Sequence, residues 1–212
     1  VGIVTVDDAM TVLQDEATED ISIMAGVTPN EDSYFGTSVF QHAKNRALWL
    51  MLLMLSATVS GEILAHYESA MAVMPILITF IPMLMGTSGN CGSQSSTMVI
   101  RGIAVGEIEF KEFFKVVFKE IRIAILVGVM LAVVNGIRIY IMYDQDIMLA
   151  IAIGITMIAI VCMAKCIGCT LPLFAKKIGL DPALMAAPLI STIMDTCTIL
   201  MYFAIITAFF KL

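Results

Sequence analysis

The chain has 212 residues, of which 59% are hydrophobic and only 14% charged, and its mean hydropathy is +0.95. Because soluble domains carry about 25% charged residues, this composition excludes an ordinary cytosolic enzyme. The net charge of −6 is uneven, since residues 1–35 hold eight acids and no Lys or Arg, and the acidic balance excludes a nucleic-acid binder. We therefore expect a short acidic head, an apolar body and the lipid bilayer as partner.

The acidic head is predicted to be helical over roughly residues 7–28. Its solvated side carries the acids Asp15, Glu16, Glu19 and Asp20. The breakers Thr28-Pro29-Asn30 and then Gly36 separate this helix from the apolar body.

A membrane-spanning helix needs about 20 apolar residues. Five stretches of the sequence reach this length or fall short of it by no more than two residues. They are Ala47–Ala65, Ser69–Ile100, Ile123–Tyr143, Ile147–Ala164 and Pro182–Phe210. Between the second and third, Gly102–Arg122 alternates Glu and Lys on a helical period and carries an apolar stripe of Phe and Val. We expect a separate amphipathic helix there, on the inner membrane surface. The whole is predicted to be an all-α membrane protein with five transmembrane helices.

The positions of the basic residues predict the orientation of the spans, because short cytoplasmic loops collect Lys and Arg. Bases precede the first span and lie between spans two and three and between spans four and five. The opposite loops contain none. The N-terminus is therefore expected in the cytoplasm and the C-terminus outside.

The polar string GTSGNCGSQSS at Gly86–Ser96 lies at membrane depth, after the part of the second span that Pro75 and Pro82 are expected to break. It predicts non-helical backbone lining an aqueous cavity, because exposed carbonyls there suit hard cations, with side-chain oxygens from Asn90 and Gln94. The alternative is close helix packing through small residues. Both can hold together.

Asp195 is the sole charge in the last predicted span, where an ionised carboxylate costs about 2.5 kcal/mol or more on insertion scales. Ala187, Ser191 and Thr198 share its helical face, which favours an ion path. The alternative is a structural Asp bonded to hydroxyls or to a base. Oxygen ligands suit Mg²⁺, but one carboxylate is too little charge for a divalent ion, so a symmetric homodimer with two copies of Asp195 at an interfacial pore is expected.

The sequence gives less support to a soft-metal site or to an enzyme. Cys162, Cys166 and Cys169 share a helical face and would suit Cu(I) or Zn²⁺, but Lys165 lies among them and no His is near. No nucleophile and base pair is visible, so no enzyme is expected.

Three segments together resemble the MgtE family of magnesium channels and transporters. They are VGIVTVDDAMTVLQDEATEDI at Val1–Ile21, GTSGNCGSQSSTMVIRGIA at Gly86–Ala104 and DPALMAAPLISTIMDTCTILMYF at Asp181–Phe203. The resemblance implies that residues 1–27 end a CBS domain, that 28–45 are a connecting helix or linker, and that 46–212 form a five-span ion-conducting domain in the plasma membrane.

The resemblance also implies a homodimer whose pore runs between the second and fifth spans, with hydrated Mg²⁺ held by Asp195. Its pore-lining positions match Ala187, Ser191, Gly86, Gly89 and Asn90. In family members, Mg²⁺ among cytosolic acids closes the pore, a role open here to the four head acids Asp15, Glu16, Glu19 and Asp20. The chain departs from the family pattern at Thr198, Ser93 and Ser88, which predicts altered pore width or ion discrimination.

The function expected is thus conduction of Mg²⁺ into the cytoplasm, gated by cytosolic Mg²⁺. Three alternatives stay open: a Na⁺-coupled Mg²⁺ exchanger, a broader carrier of Mn²⁺ or Co²⁺, and a membrane anchor that transports nothing.

Overall fold

The computed structural model describes residues 2–30, 33–143 and 146–211, and the regular secondary structure of these residues is entirely helical. In chain order, the α-helices there are α1 (Val6–Met24), α2 (Val39–His66), α3 (Glu68–Val73), α4 (Ile81–Ala104), α5 (Phe113–Met142), α6 (Ile147–Lys177) and α7 (Ala187–Phe210). Short 3₁₀ turns precede three of them, at Pro75–Phe80, Phe110–Glu112 and Pro182–Met185. The prediction of an all-α protein is confirmed.

Three of the described helices, α2, α6 and α7, are long and apolar enough to cross a membrane. They contain the first predicted span, the fourth, and all but the start of the fifth. Helix α6 continues beyond the predicted end of its span at Ala164 as far as Lys177. The number of five spans stays a prediction.

Helices α4, α6 and α7 pack together at the centre of the bundle, with α5 against α6 and α2 against α7. Buried Leu, Ile, Phe and Met side chains of α4, α6 and α7 form the main core. By contrast, Ser60 is the one buried residue of α2 in the described chain. The apolar surface of α2 therefore faces outward, where lipid or a second protein surface would cover it.

Small residues let the central helices approach closely. A Cβ atom added at Gly168 of α6 would collide with the carbonyl of Gly92 on α4. A Cβ at Gly92 would lie 2.7 Å from Cγ2 of Ile190 on α7. Such backbone contact is how membrane helices associate where apolar burial gives little driving force.

Between α3 and α4 the α-helix is interrupted by the 3₁₀ turn Pro75–Phe80, as the proline at position 75 predicts. Non-helical backbone is tolerated at membrane depth only where protein buries it. Here Leu77 and Phe80 are fully buried, and the Tyr202 hydroxyl of α7 donates a hydrogen bond to the Leu77 carbonyl at 2.9 Å. Pro82 breaks nothing, because it lies in the first turn of α4, where its missing N–H is not needed.

The prediction of non-helical backbone at Gly86–Ser96 is wrong, because this string lies inside the continuous helix α4. Glycine and serine are poor helix formers, but their small size lets α4 pack closely against α6 and α7, and this packing stabilises the helix. The α-helix also satisfies every backbone N–H and C=O internally. The alternative of close helix packing through small residues is the correct one.

The separate amphipathic helix predicted at Gly102–Arg122 is also wrong. The chain turns after α4 through Gly106, whose φ of +74° suits glycine, and the long helix α5 then begins at Phe113. Phe110 and Phe113 pack beneath the ends of α4 and α6, whereas Phe114 is 83% exposed. The apolar stripe is therefore shared between a buried contact and an exposed face.

The acidic head is helical, as predicted, and α1 is its helix. Gly26, at a φ of +68°, ends α1 and packs against the indole of Trp49 on α2. The Thr28 N–H donates to the Asn45 carbonyl at 3.0 Å. Of the predicted connecting segment 28–45, the part up to Ser38 is irregular where described, and Val39 onward belongs to α2.

We predict that Gly168→Ala destabilises the fold by about 1–3 kcal/mol, since the new methyl group forces α4 and α6 apart. Gly136→Ala on α5 is the matched control, because a Cβ there meets no atom of the described chain within 4 Å. Thermal unfolding in detergent compares the two variants. Equal stability of both would show that the Gly92–Gly168 contact is not tight in the native bundle.

Candidate ion-binding site

Asp195 lies on α7, eight residues after the start of the helix at Ala187, which is about 12 Å along the axis at 1.5 Å per residue. The residue is partly buried. No side chain or backbone group of the described residues hydrogen-bonds to its carboxylate or forms an ion pair with it. A carboxylate left without a protein partner in an apolar helix is suited to bind a cation or its water shell.

The hydroxyl groups near Asp195 bond to other partners. The hydroxyls of Thr196 and Ser60 on α2 lie 2.7 Å apart. Thr198 donates to Ser88 on α4 at 2.6 Å, and Thr192 donates to the carbonyl of Pro188 in its own helix. The structural alternative for Asp195, in which hydroxyls or a base hold its carboxylate, is therefore not what these residues form.

Two residues of the predicted ion path meet where α4 packs on α7. The space that a side chain at Gly89 would fill lies 3.3 Å from the Ser191 hydroxyl oxygen. Ser191 is partly buried one turn before Asp195, and Ala187 is exposed at the start of α7. Gly89, Ser191 and Asp195 thus lie along the same seam between two helices.

The other predicted pore-lining residues lie apart from that seam. Gly86, Asn90 and Gln94 follow each other at four-residue intervals and are exposed on one face of α4. Thr198 is 1% exposed and its hydroxyl is used by Ser88. Within one chain, Thr198 therefore ties α7 to α4, whereas the face with Asn90 and Gln94 is open.

A largely buried polar cluster, which no local pattern in the sequence predicts, joins three helices. Lys165 of α6 is 5% exposed; its ammonium lies 3.3 Å from the Ser95 hydroxyl of α4 and 3.8 Å from the Glu120 carboxylate of α5. Ser95 donates to Glu120 at 2.5 Å. We call Ser95, Glu120 and Lys165 the α4–α5–α6 triad. The signal that could have revealed it is one base and one acid flanking long apolar runs.

Among the described residues, the fold brings no further metal ligand to the cysteines considered as a Cu(I) or Zn²⁺ site. Cys162 and Cys166 are partly buried, and Cys169 is buried with its thiol donating to the Cys166 carbonyl. Across the described residues, no three His, Cys, Asp or Glu side chains converge where they could hold a metal ion. A single chain thus brings one carboxylate, Asp195, to the seam between α4 and α7.

The head acids Asp15, Glu16, Glu19 and Asp20 are exposed along α1. The helix packs against the turn Pro182–Met185, which leads into α7. Desolvation near the packed turn, with the charges of Asp181 and Glu16, raises the pKa of Asp20. The head therefore brings negative charge beside the turn that leads into α7.

The sequence matches known proteins over nearly its whole length. The family model of MgtE, described as a divalent cation transporter, matches residues 81–205. The chain is 34% identical to the magnesium transporter MgtE of Thermus thermophilus over 97% of its own length and 45% of that protein. It is 34% identical to the magnesium transporter MgtE of Bacillus subtilis over 99% of its length and 46% of that protein, and 32% identical to that of Enterococcus faecalis over the same shares, 99% and 46%. The chain thus spans about half the length of these relatives.

We predict that Lys165→Met costs about 3–5 kcal/mol of stability, because it leaves the Glu120 carboxylate, whose side chain is only 13% exposed, without a counter-charge. The double variant Lys165→Met/Glu120→Gln should lose less than the single variant, since no unpaired charge remains. Unfolding free energies in detergent test this.

The matched control is Lys115→Met/Glu112→Gln, which removes an ion pair whose Lys side chain is 82% exposed. This pair should contribute less than about 1 kcal/mol. A double variant of Lys165 and Glu120 that lost the sum of its single losses would contradict a coupled pair.

Proposed function

Since the chain belongs to the MgtE family of divalent cation transporters, we propose that it conducts Mg²⁺ across the cell membrane into the cytoplasm, with Asp195 as the ion-binding carboxylate. The observation that carries the proposal is the carboxylate of Asp195 on α7, which has no hydrogen-bond or ion-pair partner among the described residues and whose neighbouring hydroxyls are bonded elsewhere. The relatives named magnesium transporters support Mg²⁺ as the ion.

The chemistry of Mg²⁺ fits a site with few protein ligands. Mg²⁺ gives up its waters reluctantly and is commonly bound through one or two carboxylates with several waters retained. In our proposal, Asp195 holds the hydrated ion by electrostatic attraction and by hydrogen bonds from its waters. The partly buried Ser191 hydroxyl, one turn away, offers these waters a further partner.

The active form in this proposal is a homodimer with its pore on the twofold axis, lined by α4 and α7 of both copies. Two copies of Asp195 then match the charge of one Mg²⁺. Twofold dimers are the commonest homo-oligomers. The exposed amide side chains of Asn90 and Gln94 on α4 support this assignment, because a polar face at membrane depth needs water or protein beside it. The small exposed residues Gly86 of α4 and Ala187 of α7 leave room for such a pore.

The proposed orientation has the N-terminus and the head in the cytoplasm and the C-terminus outside. It rests on the bases near the start of α2, between α4 and α5, and at the end of α6. We assign residues 1–27 to the end of a CBS domain, 28–45 to the connection and 46–212 to a five-span conducting domain. The inward electrical gradient then drives Mg²⁺ uptake.

The head acids give the proposed site of regulation by cytosolic Mg²⁺. The raised pKa of Asp20 reflects desolvation and repulsion from Asp181 and Glu16. A divalent cation near them would screen this repulsion and strengthen the packing of α1 on the turn Pro182–Met185. Cytosolic Mg²⁺ would thereby bias the segment that leads into α7.

We predict that Asp195→Asn abolishes Mg²⁺ uptake while the protein stays folded, because the amide has the same shape and no charge. Proteoliposomes with an inside-negative potential provide the measurement. Glu109→Gln is the matched control, since this acid pairs with Lys111 in the loop before α5, away from Asp195. Its uptake should stay within about twofold of the original chain, as expected for an exposed ion pair.

The same assay separates the alternatives. Equal uptake by the original chain and Asp195→Asn would remove Asp195 from the ion path. Uptake that needs a Na⁺ gradient would indicate the coupled exchanger, and equal uptake of Mn²⁺ or Co²⁺ would indicate a broader carrier. Absence of uptake from the folded original chain at all Mg²⁺ concentrations would favour the anchor.

We predict that Asp20→Asn tightens the packing of α1 at neutral pH. Because the pKa of Asp20 is raised in the packed state, packing is favoured as the pH falls through that pKa and weakened as the pH rises to neutrality. Slower hydrogen exchange in α1 should therefore distinguish the variant at pH 7, and the difference should vanish at acidic pH. Added Mg²⁺ should slow exchange in the original chain and do less in the variant.

The control for Asp20 is Asp8→Asn at the other end of α1. Hydrogen bonds from Thr5 lower the pKa of Asp8, so its ionised form stabilises the start of the helix. Asp8→Asn should speed exchange there. If both variants slowed exchange equally, total charge rather than the repulsion between Asp20 and Asp181 would explain the effect.

A further inference from the structure

The ion pair of the α4–α5–α6 triad lies in the wall of the same cavity as the exposed amides of α4. This cavity has a volume of about 990 Å³, and its lining includes Asn90, Gln94, Glu120 and Lys165. Exposed charged side chains of the loop after α4 and of α5 form its rim, so water and ions have access to it. Because Asn90 and Gln94 belong to the face of α4 that we propose lines the pore, the ion pair borders the ion path.

The triad lies nearer the cytoplasmic end of α4 than Asp195 does. Gly89 packs on Ser191, which precedes Asp195 by one helical turn. Ser95 follows Gly89 by six residues, which is about 9 Å along the axis of α4. In the proposed orientation, an ion that enters the cell therefore passes Asp195 first and the triad next.

Glu120 is a largely buried carboxylate whose cation belongs to the protein itself. Its side chain is 13% exposed and that of Lys165 is 6% exposed, with the ammonium nitrogen 3.8 Å from the carboxylate. The Ser95 hydroxyl donates to the same carboxylate at 2.5 Å. Carboxylate and hydroxyl oxygens suit a hard cation, and the lysine ammonium is a compact positive charge with three donors. Lys165 therefore occupies the place that a bound metal cation would take.

We propose that Glu120 and Ser95 form a second cation site of the ion path, which the ammonium of Lys165 keeps filled. The proposal rests on the proposed function, because it concerns Mg²⁺ that has passed Asp195. Conduction requires that each site bind an ion weakly enough for the ion to leave. Lys165 meets this requirement by neutralising Glu120, so that hydrated Mg²⁺ moves on to the cytoplasm without being held a second time.

The charge balance of the pair makes the proposal distinguishable from a purely structural role. Without Lys165, the charge of Glu120 attracts Mg²⁺, and without Glu120, the charge of Lys165 repels it. A unit charge about 10 Å from a divalent ion changes the occupancy of that ion about fourfold at the dielectric constant of water. The two changes therefore act on Mg²⁺ with opposite sign, whereas loss of a structural contact impairs the protein in the same direction in both cases.

The first test is a Mg²⁺ titration of the intact chain in detergent, followed by thermal unfolding. Mg²⁺ should stabilise Lys165→Met, because the ion replaces the lost ammonium beside Glu120. At 100 times its dissociation constant, Mg²⁺ should raise the ratio of folded to unfolded protein about 100-fold. Lys165→Met/Glu120→Gln should respond no more than the original chain. The gain should persist in an Asp195→Asn background, so this test does not depend on the role of Asp195.

The matched control is Lys115→Met, the same substitution at the rim of the same cavity. Lys115 lies 3.5 Å from Glu112, but its side chain is 82% exposed. Because water replaces the lost ammonium there, Mg²⁺ should add no stability. Lys165→Arg keeps a cation beside Glu120 and should likewise gain nothing from Mg²⁺.

The second test is Mg²⁺ uptake into proteoliposomes at a fixed inside-negative potential. Lys165→Met should lower the half-saturating Mg²⁺ concentration about fourfold and also lower the maximal rate, because the ion is held twice. Glu120→Gln should raise the half-saturating concentration about fourfold. The double variant should return close to the original value.

Three results would overturn the proposal. If Mg²⁺ did not stabilise Lys165→Met, or if this variant stayed unfolded in Mg²⁺, Glu120 would not be a cation site. An equal response of Lys115→Met would indicate general screening of charge. Shifts of the same sign in Lys165→Met and Glu120→Gln would leave the triad a structural role alone. By contrast, Mg²⁺ binding by Lys165→Met without uptake by the original chain would support the second site and contradict the proposed function.

Discussion

The backbone contact between Gly92 on α4 and Gly168 on α6 sets the distance at which the central helices pack, and the other polar contacts of α4 depend on it. At that distance the serines of α4 reach partners on every side. Ser88 accepts from Thr198 of α7, Ser95 joins the α4–α5–α6 triad, and Ser96 donates to the carbonyl of Met185 before α7. Where water is excluded, such hydrogen bonds fix helix positions that apolar contacts alone would leave free to slide.

The charged side chains inside the bundle differ in whether they have a partner of opposite charge. Lys165 and Glu120 neutralise each other, with the Ser95 hydroxyl between them, so this pair has little need of an external ion. Asp195 has no counter-charge among the described residues. An unpaired carboxylate in an apolar helix is costly, and a cation is the natural means of lowering that cost. This contrast is why we assign ion binding in the original chain to Asp195 and not to the triad.

Sequence reasoning succeeded where a local pattern decides the structure. The all-helical character, the helix of the acidic head, and the break before α4 follow from composition and proline placement, and the family resemblance is confirmed by the match to residues 81–205. It failed at Gly86–Ser96, because helix propensity is weak against tertiary packing. It also failed at Gly102–Arg122, where the same stripe of phenylalanines suits a surface helix or the start of a longer one.

The sequence by itself determined that this chain is a helical membrane protein with one conspicuous acid, Asp195, in its last apolar stretch, because hydropathy and charge are properties of single segments. Only the tertiary structure decided which polar groups meet. Ser95, Glu120 and Lys165 lie on three helices far apart in the chain, and no periodicity relates them. The tertiary structure also decides that no described group bonds to the Asp195 carboxylate. The neighbouring hydroxyls of Thr196 and Thr198 are hydrogen-bonded to α2 and α4 instead.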